Sequence, residues 1–387
     1  MKISIPNKYS RGLLIGLMVV HVLGTLFAYL VYIKLSSLGD GYNPASFENI
    51  KTIYGYHKGQ STLLVWGIYF FLGSILPGFL APMSLGLVVA ILIWYAFRDV
   101  YMYINRELFW ICNLFPHFLV WSGASSKEQV LILCSIIVIN FAVKRSFTEK
   151  NLDISLIFVL TALSLIFIIR PNYFVMYFAI FTTALFSPWL QKSVSGKLSV
   201  GVWALFYSLL TIGVVAYLAL TSTVTSEDVV KFMLRIEYSF HAYNNAGSNR
   251  YNIQWNEVSD FLYNSFWAIP QGFIGPTLLE GISKPMFFLA FLEGIFFITI
   301  LGYLFFELLK LSIKSRILRL YILPYFFACF IIVFVSYPYL MFNVGSALRY
   351  KQSIHPILIF YPLLVLAYYR ANHLMKNKIQ KKIPTES

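Results

Sequence analysis

Long, uninterrupted apolar runs recur from one end of this 387-residue sequence to the other. Each is about 16 to 24 residues long, close to the ~20 that a helix needs to cross a hydrocarbon core about 30 Å thick. Lipid offers no water to satisfy backbone amides, so such runs are read as helices. Apolar residues make up 59% of the chain and charged residues 12%, roughly half the charged share of a soluble domain. The expected fold is all-α: a polytopic transmembrane helix bundle forming a single integral membrane domain over 1–387.

About ten spans are expected: Leu13 to Ile33, Leu85 to Phe97, Leu108 to Trp121, Val130 to Val143, Ile154 to Ile169, Tyr173 to Leu190, Val200 to Leu220, Phe287 to Leu309, Leu320 to Met341 and Ile357 to Tyr369. Lys and Arg collect in short cytoplasmic segments. Placing both termini in the cytoplasm puts most of the 30 basic residues inside, including Lys144, Arg145 and Lys150, then Lys310, Lys314, Arg316 and Arg319, then the tail from Arg370 to Lys382. The run Ser61 to Leu76, closed by Pro77 and Gly78, would invert every later loop if it crossed. It is expected to be an interfacial or re-entrant helix on the outer face, which suits Trp66, Tyr69, Phe70 and Phe71. The alternative is an ordinary span with reversed later topology. Lys2, Lys8 and Arg11 precede an apolar stretch too long for a signal-peptide core, so a retained signal anchor is expected. Two outer segments stand out by length, a first loop over 34–82 and a second over 221–285 that is polar enough to form its own helices.

Topology accounts for most of the net charge of +14, and no nucleic-acid partner is expected. Cys112, Cys134 and Cys329 lie inside apolar runs without metal or disulfide spacing and are read as packing residues. The six histidines are scattered and no carboxylate cage is present, so no metal is expected, and the lack of a Gly-rich nucleotide loop disfavours direct use of ATP or a nucleotide sugar.

The polar residues that remain gather on the outer side. Asp40 sits between glycines in Leu38-Gly39-Asp40-Gly41-Tyr42-Asn43, where the backbone can approach a ligand as a general base must; a plain turn is the other reading. Lys127 and Glu128 follow Trp121-Ser122-Gly123-Ala124-Ser125-Ser126 in a tight hairpin, where they either cap the next helix or contact a phosphate or sugar. Arg170 closes an apolar helix before Pro171 and either snorkels to headgroups or faces a ligand. Arg250 lies among Asn249, Tyr251, Asn252 and the aromatic Trp255. Arg349, Tyr350 and Lys351 follow Gly345-Ser346-Ala347-Leu348 in the last outer loop. Arginine forks bind phosphate oxygens and aromatic faces stack on sugars. Several cations around one pocket would serve a pyrophosphate leaving group in place of a metal. Glu293, near the outer end of the eighth span, is a functional candidate because burying a carboxylate in a membrane is costly, and the outer arginines are its expected partners. Glu307 is expected to pair with Lys310.

The order Gly39-Asp40-Gly41-Tyr42, an interfacial helix, Phe115-Pro116, Phe118-Leu119-Val120-Trp121-Ser122-Gly123 and Lys127-Glu128 resembles bacterial membrane proteins of polysaccharide gene clusters. These are the multispan glycosyltransferases of the GT-C superfamily and the related Wzy-type O-antigen and capsule polymerases. Ile269-Pro270-Gln271-Gly272-Phe273-Ile274-Gly275-Pro276 and Gly345-Ser346-Ala347-Leu348-Arg349-Tyr350 add to the likeness. The resemblance implies a GT-C-like bundle in the bacterial inner membrane that takes a polyprenyl-diphosphate-linked oligosaccharide and polymerises it on the outer face. It further implies Asp40 near the acceptor, with Glu128 as a less favoured base, and Arg250 and Arg349 as catalytic cations. Lys127, Glu128, Arg170, Trp255, Tyr350 and Lys351 are the candidate substrate contacts. Membrane lipid, a flippase and a chain-length regulator are the candidate partners. Two other functions stay open, addition of a single sugar from a polyprenyl-phosphate donor and transport of a lipid-linked glycan. Transporters usually place ionisable residues at mid-membrane in repeated halves, whereas this sequence keeps them to one face.

Overall fold

A computed structural model of the chain describes residues 7–32, 60–148, 155–193, 226–243, 250, 255–315, 318–319, 322, 325–326, 329, 337 and 341–380. It is about nine-tenths helical and has no strand among the described residues. The helices are α1 (Asn7–Phe27), prolonged by a π-helical turn (Ala28–Tyr32), α2 (Gln60–Ile75), α3 (Leu80–Phe97), α4 (Arg106–Asn113), α5 (Pro116–Gly123), α6 (Lys127–Thr148), α7 (Ser155–Ile169), α8 (Pro171–Ser193), α9 (Ser226–Tyr243), α10 (Val258–Ile274), α11 (Leu278–Ser283), α12 (Pro285–Lys314), α13 (Val344–His355) and, after a π-helical turn at Pro356–Phe360, α14 (Tyr361–Gln380).

Among the described residues, five segments are long and apolar enough to cross a bilayer: Ser10–Tyr32, Leu80–Phe97, Lys127–Phe147, Met286–Ile313 and Val344–Leu374. Leu64–Ile75 and Ser155–Ile169 are shorter apolar helices. This is the make-up of an all-α membrane bundle. Asp40, the Val200 to Leu220 run and most of the Leu320 to Met341 run lie outside the described residues.

Two expectations about the helices are corrected. Leu108 to Trp121 is not one helix but two of eight residues each, α4 and α5, so neither alone reaches across a bilayer. Pro116 breaks it: proline lacks the N–H a continuing helix needs and drives the preceding residue out of helical geometry. Phe115 accordingly takes φ −56°, ψ 120°, and Pro116 opens the new helix. The other correction concerns Gly345 to Lys351, expected in a loop before the last span. They lie on α13, the first part of a helical segment that runs without a break over Val344–Leu374. Pro356 is absorbed by the π-helical turn, where the Tyr361 amide bonds the Pro356 carbonyl.

The chain forms two compact units, one of Met1–Leu185, Leu304–Leu308 and Gln352–Ser387, the other of Phe186–Tyr303 and Leu309–Lys351. In the first, α1 packs along α3 and α5, and α6 packs on α3, α7 and α14. Gly123 permits the closest approach, since a Cβ there would lie 2.5 Å from Thr25 Oγ1 and 2.9 Å from Thr25 Cα. Charges cluster at one end: Lys144 donates to the Tyr95 carbonyl at 2.7 Å and pairs with Asp99 at 3.6 Å, as does Arg98. Glu307 pairs with Arg370 at 3.4 Å rather than with Lys310, which points to the surface.

The hairpin between α5 and α6 is held by a buried polar network. Gln129 donates to the carbonyls of Pro82 (2.8 Å) and Ser122 (2.6 Å), and its side-chain oxygen accepts from the Tyr69 hydroxyl. The Tyr69 oxygen accepts from the Ser126 amide at 3.1 Å, and Ser126 Oγ caps α6 by accepting from the Gln129 amide at 3.2 Å. Ser122 Oγ bonds His21 Nδ1 at 3.2 Å. Each unsatisfied buried group costs about 1–3 kcal/mol. Gln129→Leu is therefore expected to lower stability by about 2–3 kcal/mol, read as a drop in unfolding midpoint in detergent; an unchanged midpoint would contradict the network's role.

In the second unit, α9 packs on α10. Met233, Ile236, Trp255, Ala268, Tyr337, Met341 and Phe342 form its main apolar cluster. The end of α10 meets α12 at Gly294, where a Cβ would collide with the Ile274 carbonyl. Backbone cannot yield as a side chain can, so Gly294→Ala is expected to cost about 3 kcal/mol or more, seen as a loss of folded, monodisperse protein on purification. Normal yield and melting of that variant would refute the contact.

Candidate functional site

The second unit brings together the two stretches Ile269–Pro276 and Gly345–Tyr350. Helix α10 begins with a reciprocal cap between Glu257 and Asp260, and the two backbone amides bonded to Asp260 hold its carboxyl below the usual range. It ends at Gly275, whose φ of +94° favours glycine. The side chain of Leu348 packs against the face of Gly275 that a Cβ would occupy. Ala290, Val344 and Leu348 then form a small cluster with Phe287.

Beyond the turn, Thr277 caps α11. Its hydroxyl accepts from the Glu280 amide at 3.2 Å, and its own amide donates to Glu280 Oε2 at 2.6 Å. This fixed carboxylate receives Arg250 through both arms of the fork, Nε to Oε1 at 2.7 Å and Nη2 to Oε2 at 2.8 Å. Arg250 also donates to the carbonyls of Met341 (Nη1, 3.2 Å) and Gly275 (Nη2, 3.2 Å), and its backbone amide to the Phe342 carbonyl at 2.9 Å. Burial opposes ionisation of Glu280, but the hydrogen bonds and charge of Arg250 and the bonds from Thr277 prevail and hold its carboxyl below the ordinary 4.5. Arg250, expected as a cation open to a diphosphate, is thus committed to Glu280 and to three backbone carbonyls. It clamps the turn at Gly275 and the start of α11 to the chain ahead of α13. Trp255 is buried in the apolar cluster, 6.5 Å from the Phe342 ring.

Helix α13 carries the remaining cations. Arg349 lies over the ring of Tyr350 at 5.2 Å, and both are partly buried. Lys351 is 1% exposed. Its ammonium sits 5.3 Å from the Phe297 ring and within the electrostatic reach of the buried Glu293, both on α12. No hydrogen-bond acceptor among the described residues meets its Nζ. An ammonium has three donors and no acceptor capacity, so this group can take an anionic oxygen without displacing an existing bond. Glu293, expected to face the outer arginines, has Lys351 as a charged neighbour.

The other candidates belong to the first unit. Arg170, between α7 and α8, pairs with the buried Glu128 at 3.6 Å, so two residues expected to contact substrate contact one another. Lys127 is the first residue of α6 and is partly exposed. Of the serines of the same hairpin, Ser122 and Ser126 are bound into the network around Gln129, and Ser125 pairs with the Tyr29 hydroxyl. Among the described residues no three His, Cys, Asp or Glu side chains come together as a metal would require.

Glu280 is the residue that reasoning from the sequence passes over. Its signal is the Thr277-Leu278-Leu279-Glu280 spacing of a capping box, which fixes a carboxylate at a helix start but does not name Arg250 as its partner. Comparison of the chain with protein-family models, with characterised proteins and with solved structures finds no match.

Proposed function

We propose that this membrane helix bundle is a glycosyltransferase that polymerises polyprenyl-diphosphate-linked oligosaccharide repeat units at the outer face of the bacterial inner membrane, with both termini in the cytoplasm and a GT-C-like arrangement of spans. The observation that carries the reading is Lys351. A buried ammonium on an apolar membrane-crossing helix, with no acceptor of its own among the described residues, is a costly arrangement that structure alone does not require. A diphosphate oxygen supplies the missing acceptor.

In this proposal the acceptor hydroxyl attacks the anomeric carbon of the donor glycan and gives its proton to a general base, the role that the sequence reading assigns to Asp40, which lies outside the described residues. The bond between that carbon and the diphosphate oxygen breaks, and the leaving polyprenyl diphosphate takes the electron pair. Lys351 and Arg349 offset its growing charge, the role a preorganised cation fills best in a low-dielectric site. Arg250 acts through Glu280, holding the Gly275 turn against Leu348 so that α13 presents its cations in a fixed register. Tyr350 offers aromatic surface to a sugar or to the polyprenyl chain, whereas Trp255, expected as a substrate contact, is buried and supports the cluster beneath the clamp. Neither a metal nor a soluble cofactor enters the scheme, and a flippase and a chain-length regulator are its expected partners.

Deleting the gene in its host and separating the surface polysaccharide by size tests the reading. Single repeat units in place of long chains, restored by the wild-type gene but not by Lys351→Met, are the expected result. An unchanged length distribution would contradict it.

A further inference from the structure

The polar and apolar faces of α10 and α11 are reversed relative to a helix bathed in water. On α10, Asn264 and Ser265 are buried, while Tyr263 and Phe266 are 74% and 83% exposed and Leu262 points outward with them. On α11, Leu279 is 81% exposed, and Leu278 and Ile282 are also outside. Large exposed apolar patches mark a contact with lipid or with another protein.

We propose that this face rests in the headgroup boundary of the bilayer, so that α10 and α11 form a lipid-seated platform beneath the Arg250–Glu280 clamp. Chain continuity argues for lipid. Only Lys284 separates α11 from α12, whose bilayer-crossing stretch begins at Met286. The edge of the hydrocarbon is therefore within a turn of Ile282. The outward apolar residues continue on α12 through Phe288, Leu289, Leu292 and Phe296, which places the patch in line with a lipid-facing stripe.

Composition points the same way. Asp260, Asn264, Ser265 and Gln271 keep α10 too polar to cross, and it is not among the segments apolar enough to do so. A helix with one strongly apolar face and low overall hydropathy lies in the interface plane, with its apolar side sunk about 5–10 Å. Tyr263 on the patch and Lys284 at its border, over the Phe287 ring at 5.2 Å, are residue types that anchor at headgroup level. Glu257 and Ser259, at the exposed start of α10, face water on this placement. The inference needs only a membrane-embedded chain, so it stands or falls separately from the glycosyl-transfer reading.

Full-length protein in lipid nanodiscs carries the test. Cysteines introduced at Phe266, Leu279 and Ser259, one at a time, are labelled with an environment-sensitive fluorophore. Cys112 and Cys134 are buried, and labelling of the unsubstituted chain sets the background. Quenching is then read with lipids spin-labelled near the headgroup, with lipids spin-labelled near the chain end, and with aqueous iodide. Labels at Phe266→Cys and Leu279→Cys are expected to be quenched at least threefold more by the shallow lipid probe than by iodide or by the deep probe, with the reverse order of shallow probe and iodide at Ser259→Cys. Iodide quenching equal to that at Ser259→Cys means the face is in water, and shielding from all three quenchers means a protein covers it; either overturns the proposal. Leu262→Cys and Ile282→Cys report on the same two faces if a first label disturbs folding.

Discussion

The Lys351→Met variant is expected to lose chain polymerisation by about 10²- to 10³-fold, the usual effect of removing one preorganised donor from a charge-stabilising site. The substitution keeps an unbranched apolar stem of nearly the same length and removes the ammonium. It also takes a positive charge from the surroundings of the buried Glu293, a loss that costs stability in its own right. The companion variant Lys351→Met/Glu293→Gln removes both charges, and it separates the two roles of Lys351. If the lysine serves only to neutralise Glu293, the double variant recovers stability and activity together. The expected outcome is recovery of the melting midpoint with polymerisation still lost. Activity returning with stability would reduce Lys351 to a structural ion.

Arg250→Ala is expected to destabilise the second unit by about 2–4 kcal/mol, somewhat below the value for a fully buried pair because the side chains of Arg250 and Glu280 keep 12% and 27% of their exposure. It strands the Glu280 carboxylate and unties the Met341 and Gly275 carbonyls. Arg250→Lys is not expected to rescue it, since an ammonium cannot reproduce a two-armed fork. A double-mutant cycle with Glu280→Gln should show coupling, and additive losses would contradict the pairing.

Acid adds an independent check. The folded-state carboxyl of Glu280 lies below its ordinary 4.5, so its contribution to stability is fully present above pH 4.5 and fades as pH falls through the lower folded value. The difference in melting midpoint between wild type and Glu280→Gln should therefore shrink on acidification below 4.5. A difference that stays constant would show that Glu280 does not titrate with folding.

Period and length made the helices legible before any coordinates. The runs Val130 to Val143 and Phe287 to Leu309 fall within segments long and apolar enough to cross, and Leu13 to Ile33 overlaps a third, Ser10–Tyr32, because long apolar runs in lipid leave the backbone no alternative to a helix. Ser61 to Leu76 is a helix closed by Pro77 and Gly78, too short in its apolar part to count among the crossing segments. Proline was the weak point, and it failed in opposite directions. Pro116 broke a run that looked continuous, while Pro356 sat inside a helix that looked as though it should start there. Hydropathy does not see the difference, which depends on whether a π-helical turn can take up the ring.

The candidate site was legible as a list of residue types and not as a set of partners. Arg250, Arg349 and Lys351 stood out as cations among polar and aromatic neighbours, and the structure places them in one unit. That Arg250 is taken by Glu280 and that Lys351 is not similarly taken rests on approaches between residues 30 and 58 positions apart, such as Arg250 to Glu280 and Glu293 to Lys351. Local spacing carries no such information. Glu128 and Arg170, 42 positions apart, pair for the same reason.

The most direct measurement reconstitutes the purified chain in proteoliposomes with a polyprenyl-diphosphate-linked repeat unit and follows the product by gel and mass. A ladder of products spaced by one repeat unit, with release of polyprenyl diphosphate, is the predicted result. A single added sugar from a polyprenyl-phosphate donor, or movement of the lipid-linked glycan across the bilayer with no new glycosidic bond, would contradict it.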